Sequence, residues 1–294
     1  MPDIVFSDID GTCVHYDMGE TLVPFCADVD FEGETPLGLE RAEFQKDDAR
    51  AWVLALPESS SGSRGIISVD TLKAYARLQD FGCRVILVSG CRCSTLIQRI
   101  PYLPQADAYV CESGGRIFYP AQGGLSLVED LVWRNAHSSL PPVQPSTVAP
   151  ETYSGDLWEF YRNLKSKGIN IDSKNYSTAF RVKDKRVSGQ DVPSSLAYST
   201  NLGSLDIYPK TSGKLNAAIY LMNKFSSGPE SSVFMCDDDN DIELALHVSR
   251  AYLPGITSES MQKTVEENRN HFYVAKRNGI WGTEEVLSEI MSTL

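Results

Sequence analysis

Buried-strand and amphipathic-helix patterns alternate at both ends of this 294-residue chain, and a different texture separates them. Ile4, Val5 and Phe6 make an apolar run of the length expected for a short buried strand. Residues 13–67 are irregular, with acidic, proline and glycine punctuation, around segments such as AWVLAL at 51–56 that predict hairpin strands. A helix is predicted next. Ser68 caps it, Leu72, Tyr75, Ala76 and Leu78 form its apolar face, and Gly82 ends it. CRVILVSG at 83–90 reads as a buried strand, CSTLIQRI at 93–100 as a helix stopped by Pro101, and ADAYVCESGG at 106–115 as a strand ending in glycines.

From about residue 120 the pattern changes. WRNAHSSLPPVQPSTVAPETYSG at 133–155 is rich in proline and serine, and DLWEFYRNLKSKG at 156–168 predicts an amphipathic helix. NYSTAFRVK and GSLDIYPK alternate apolar with polar residues, as half-exposed antiparallel strands do. After Lys210 the first rhythm returns, with helices in GKLNAAIYLMNKF and NDIELALHV and strands in SSVFMC, RAYLPG and HFYVAK. Strands alternating with helices imply a parallel sheet covered by helices. The expected fold is therefore α/β, a Rossmann-like parallel-sheet core with an inserted α+β domain. The core is expected over 1–118 and 205–294, and the insertion over 119–204.

Composition narrows the class. Hydrophobic content of 42% and charged content of 22% are ordinary for a globular protein. A net charge of −12 argues against nucleic acid or an anionic membrane as partner. No apolar run reaches the roughly 18 residues of a membrane span, and no leader pattern opens the chain, so a cytoplasmic protein is expected. The seven cysteines are odd in number and irregular in spacing, which suits free thiols in a reducing compartment. Cys91 and Cys93 lack the spacing of a zinc pair, and the four histidines form no ligand pattern.

Candidate chemistry collects at strand ends. Asp8 and Asp10 share one face of the first strand's extension, and two bare carboxylates about 4 Å apart repel by roughly 4 kcal/mol. Such a pair persists where water, a proton or a cation relieves it. Ser89 and Gly90, Lys214, and the acidic run at 236–241 complete a pocket of several carboxylates, one hydroxyl and one ammonium. In an open parallel sheet ligands bind beyond the carboxyl ends of the strands. Grouped hard oxygen ligands suit Mg2+, and the ion leaves an attractive place for a phosphoryl group.

These residues carry a resemblance. DIDGT at 8–12 resembles motif I of the haloacid dehalogenase superfamily, and Ser89 resembles its motif II. Lys214 resembles motif III, and DDDND at 237–241 resembles motif IV. CESGGRI at 111–117 and RNGIWGTEEVL at 277–287 are similar to members with a type IIB cap between motifs II and III. The resemblance implies an Mg2+-dependent phosphatase in which Asp8 is the nucleophile and Asp10 the general acid, then the general base. Asp10 needs a proton at the first step, which the adjacent carboxylate favours. The same resemblance implies that Asp8, the carbonyl of Asp10, Asp237 and Asp241 hold the metal. It further implies that Ser89, Gly90 and Lys214 bind phosphate, with Gly11 and Thr12 supplying a tight turn and backbone donors. Asn240 fixes the acidic loop or touches phosphate.

One residue departs from the family pattern: Cys236 stands where the superfamily usually has glycine, and its side chain is expected to crowd or tilt the metal loop. The segment at 17–66 is longer than a simple hairpin flap needs. SSSGSRG is expected as a mobile loop near the entrance, with Arg64 touching substrate. Arg181 and Lys183, after Asn175 and Tyr176, are the candidate specificity residues of the cap. Arg92 and Arg99 read as solvated helix positions, and Asp238 and Asp239 as residues decorating a helix N-terminus. The substrate class implied is a small phosphorylated metabolite, foremost a sugar phosphate. A phosphomutase of the same superfamily, or a catalytically silent binding or regulatory protein, are the competing readings.

Overall fold

The computed structural model describes residues 2–16, 28–30, 39–44, 49–58, 64–122, 126–137, 150–201 and 203–293. The first strands are β1 (Ile4–Ser7), β2 (His15–Tyr16), β3 (Asp28–Asp30), β4 (Leu39–Phe44), β5 (Ala49–Ala55) and β6 (Gly65–Ser68). There follow α1 (Val69–Asp80), β7 (Arg84–Val88), α2 (Cys93–Arg99), β8 (Ala108–Cys111), β9 (Arg116–Pro120), β10 (Leu127–Glu129) and α3 (Leu131–His137). Next come α4 (Asp156–Ser166), β11 (Ile171–Asp172), β12 (Phe180–Val182), β13 (Leu196–Asn201), β14 (Ser204–Pro209) and α5 (Lys214–Lys224). The chain closes through β15 (Ser232–Met235), α6 (Ile242–His247), β16 (Arg250–Leu253), α7 (Glu259–Glu267), β17 (Phe272–Val274) and α8 (Gly279–Ser292). Contacts group these elements into two compact units, one of Met1–Leu87, Ile97–Ala106 and Ser226–Leu294, the other of Val88–Leu96 and Asp107–Phe225.

In the first unit β7, β1, β15, β16 and β17 run side by side, all parallel. Every residue of β1 is buried, because strands flank it on both edges and side chains cover both faces. Beside this sheet, β2, β6, β5, β4 and β3 pair antiparallel in that order, so the hairpin strand expected at AWVLAL belongs to a larger sheet. Its Ala51, Val53 and Ile66 pack with Ile280 and Trp281 of α8.

Helix α1 begins where the sequence predicts. The Ser68 hydroxyl accepts from the Thr71 amide at 2.9 Å, and Gly82 follows the helix at φ +90°. Its buried stripe is Thr71, Ala74, Tyr75 and Leu78, the i, i+3, i+4, i+7 set. This corrects the expected face: Ala76 lies outside that stripe and is exposed, and Leu72 is half-buried.

The second unit is α+β. β8, β9 and β10 pair antiparallel, and so do β11, β12, β14 and β13 in that order. Helix α4 buries Leu157, Trp158, Tyr161 and Leu164 against Phe180, Val182 and Ile207. Aromatic side chains of that size contribute roughly 1.5–3 kcal/mol each on burial, which gives this unit a core of its own. No helix among the described residues is long and apolar enough to cross a membrane.

Candidate active site

Parallel pairing of β1 with β15 brings two acidic segments to adjoining strand ends. The Asp8 amide donates to the Met235 carbonyl at 2.9 Å, so Asp8 leaves β1 beside the point where Asp237 leaves β15. Asp241 follows in the turn before α6. One carboxylate oxygen from each of Asp8, Asp237 and Asp241 lies within 4.8 Å of the others. All three side chains are buried, at 5%, 3% and 0% exposure. Three buried carboxylates at such separations repel one another by several kcal/mol.

Local donors offset part of this. The Asp8 carboxylate accepts from the Ile9 amide at 2.8 Å. Asp237 accepts from the Thr12 hydroxyl at 2.8 Å and the Thr257 hydroxyl at 3.0 Å. These are neutral donors, and the donor set of three carboxylates fits a hard divalent cation such as Mg2+. The Cys13 thiol, beneath the same loop, is pushed far up by burial and by the charges of Asp8 and Asp10.

The turn after Asp10 explains its glycine. Gly11 sits at φ +86°, and a Cβ there would lie 2.2 Å from Asp237 Oδ2. The Gly11 amide donates to the Val14 carbonyl at 2.8 Å, so this expected phosphate donor is engaged in closing the turn. The Thr12 hydroxyl serves the Asp237 carboxylate.

Asp10 takes a different direction from its neighbours and is half-buried. Its Oδ1 accepts from Arg99 Nη1 at 2.7 Å and from the Tyr16 hydroxyl. The Arg99 guanidinium lies 5.6 Å from the Tyr16 ring centroid. Burial, and then the charge of Asp10, push the Tyr16 phenol far up, so it remains a donor. Arg99 is therefore no solvated helix residue: it is buried at 2% exposure, and Asp10 supplies its counter-charge. No local signal in the sequence marks this pairing, because the partner lies 89 residues away.

Cys236 is accommodated. It is fully buried, its amide donates to the Tyr252 carbonyl at 3.0 Å, and the three carboxylates still converge beside it. Asn240 is half-buried in the turn with Asp239 and Asp241, while Asp239 accepts from the Ser260 hydroxyl.

Ser89, Gly90 and Lys214 are buried within the second unit. The Ser89 amide donates to the Val110 carbonyl at 2.9 Å, and its hydroxyl accepts from the Cys91 amide at 3.0 Å. Lys214 opens α5 after Gly213, whose φ of +102° suits glycine. Cys93 hydrogen-bonds Cys111, which lowers the Cys93 thiol, while burial raises that of Cys111. Glu112 was not singled out in the sequence. It is fully buried at φ +52°, and its carboxylate accepts from the amides of Ser177 and Thr178 at 2.9 and 2.7 Å and from both hydroxyls.

The expected cap contacts are already paired. Arg181 forms a two-point ion pair with Asp206 across β12 and β14, at 2.6 and 2.8 Å. Lys183 meets Asp172 at 2.9 Å, and Arg92 meets the same carboxylate while covering the Tyr176 ring at 4.9 Å. Burial pushes Asp172 up, but these two cations hold it below the usual carboxylate range. Arg64 is exposed just before β6, and most of the SSSGSRG loop lies outside the described residues.

The family model for sucrose-6F-phosphate phosphohydrolase matches residues 170–288. No curated protein matches the chain. Among solved structures, a Thermoplasma acidophilum protein superposes with a TM-score of 0.60 at 14% identity, covering 99% of each chain. The sucrose-phosphatase from Synechocystis sp. PCC6803, solved with sucrose and phosphate, gives 0.59 at 12% identity, again over 99% of each chain. A haloacid dehalogenase-like hydrolase protein from Bacillus subtilis gives 0.53 at 13% identity, over 99% of this chain and 92% of that one.

Proposed function

We propose that this chain is a phosphatase of the haloacid dehalogenase superfamily and that it hydrolyses a small phosphorylated metabolite, foremost a sugar phosphate, through an aspartyl-phosphate on Asp8. The observation that carries this reading is the convergence of buried Asp8, Asp237 and Asp241, with Asp10 two residues beyond the nucleophile and its Oδ1 held by Arg99.

The Asp8 oxygens do the first job, attacking phosphorus in line while the leaving oxygen departs on the opposite side. Asp10 protonates that leaving oxygen, then takes a proton from the water that cleaves the acyl-phosphate. Ser89 and Lys214 hold the phosphoryl oxygens, as the superfamily resemblance implies, with Asn240 fixing the acidic turn. Asp8, the Asp10 carbonyl, Asp237 and Asp241 would hold Mg2+, which supplies electrostatic stabilisation to the charge on a transferring phosphoryl group. Segment 119–204 acts as the cap that selects the leaving group. The sucrose-phosphatase likeness and the matching family model support a sugar on that side.

The test is release of inorganic phosphate from a panel of sugar, polyol and nucleotide phosphates in the presence of Mg2+. Preferred turnover of a sugar phosphate without a bisphosphate activator is the expected result. A bisphosphate requirement identifies a phosphomutase instead, and silence across the whole panel favours the binding or regulatory reading.

A further inference from the structure

Asp10 must hold its carboxyl group in one orientation to exchange a proton with a leaving oxygen, and the first unit contains the groups that do so. The backbone beneath it is pinned by hydrogen bonds from Gly11 to Val14 and from Cys13 and Val14 to Ile9. The side chain is pinned separately. Arg99 Nη1 and the Tyr16 hydroxyl both donate to Oδ1, and the guanidinium stands beside the Tyr16 ring. Arg99 closes α2, where a helix C-terminus favours a cation, and its burial stiffens the long side chain.

Deepening the reading of Asp10 as acid and base, we propose that Arg99, assisted by Tyr16, is the positioning residue that assigns separate tasks to the two Asp10 oxygens. Oδ1 receives the two donors and stays an acceptor throughout. Oδ2 carries the proton to the leaving oxygen and later collects one from water. A carboxyl group has one O–H, and an oxygen facing two donors is not the one that donates. Misplacement of a catalytic group by about 1 Å costs up to roughly a hundredfold in rate.

Two aryl esters of nearly the same shape test this. Phenoxide is a poor leaving group that benefits from a proton, whereas 4-nitrophenoxide leaves without one. The quantity to measure is kcat/KM for phenyl phosphate relative to 4-nitrophenyl phosphate in the wild type, Arg99→Met, Arg99→Lys, Tyr16→Phe and Asp10→Asn. Arg99→Met is expected to lose about tenfold to a hundredfold more on phenyl phosphate than on the nitrophenyl ester. Arg99→Lys should recover part of that difference, and Tyr16→Phe should show a smaller version of it.

Merely structural damage lowers both esters alike. Equal losses in the Arg99 variants while Asp10→Asn still discriminates would overturn the positioning role alone. Equal losses in Asp10→Asn as well would overturn the acid role itself. If Arg99→Met does not fold, Arg99→Lys and Tyr16→Phe decide the matter by the same ratio.

Discussion

Asp8 combines burial, a hydrogen bond from the Ile9 amide and two carboxylate neighbours, the setting that the proposed nucleophile requires. Asp8→Asn keeps the shape but removes the attacking oxygen anion, so phosphate release should fall to background while the far-ultraviolet circular dichroism stays native. Gly11 is constrained from two sides, by its positive φ and by Asp237, whose carboxylate Thr12 and Thr257 hold in place. Gly11→Ala should cost about 1–3 kcal/mol in denaturant titration and weaken Mg2+ binding, because either the turn or Asp237 must shift. At this scale the two aspartates and the glycine between Asp10 and Thr12 stand out in DIDGT. The shared strand face expected for the aspartates does not form, because β1 ends at Ser7 and Asp10 pairs with Arg99 and Tyr16. Arg99 and Glu112 were not legible. Each owes its role to a partner 89 or 65 residues away, and nothing local marks such a partner.

Elements read well where one side of them decides their pattern. α1 had its cap and its end in plain view, yet its face was read one residue askew, because Ala76 and Leu72 are apolar without being covered. The cap links two elements. Ser68 accepts from the Thr71 amide and also donates to Glu284 of α8 at 2.5 Å. Ser68→Ala should therefore destabilise the protein by about 1 kcal/mol for the cap, with more for the half-buried carboxylate it strands, read as a lower denaturation midpoint. Helices α7 and α8 show the limit of local pattern. Among their buried residues, Gly279, Gly282 and Thr283 are small or polar, and Gly282 is needed because a Cβ would meet the Pro254 carbonyl at 2.2 Å.

For the whole molecule, the alternation of strands and helices was enough to specify a parallel sheet, since few arrangements bury such strands on both faces. Two measurements address the folded state as a unit. Burial lowers the His15 imidazole to about 4, although the Thr12 backbone pulls the other way, and its ring nitrogen Nε2 sits 2.8 Å from the Thr283 hydroxyl. The unfolded chain takes up that proton near pH 6.5, before the folded chain does. This contribution is therefore complete above pH 6.5, is lost as the pH falls toward 4, and amounts to on the order of 3 kcal/mol. His15→Gln should flatten the fall in stability across that interval, and an unchanged pH slope would exclude His15 as its source. Chelation with EDTA should lower the melting temperature and silence turnover, with Mg2+ restoring both, because a cation held by Asp8, Asp237 and Asp241 binds only the folded chain.

The pairing of β1 with β15 also sets a schedule. Ile4 lies opposite Ser232, so one flank of a wholly buried strand has no partner until the ribosome has made 228 further residues. At roughly 5–20 residues per second, that wait is on the order of 10 to 50 seconds. Through that interval β1 is a sticky edge in need of protection. The three-carboxylate cluster is completed late in synthesis, when Asp237 and Asp241 arrive to join Asp8.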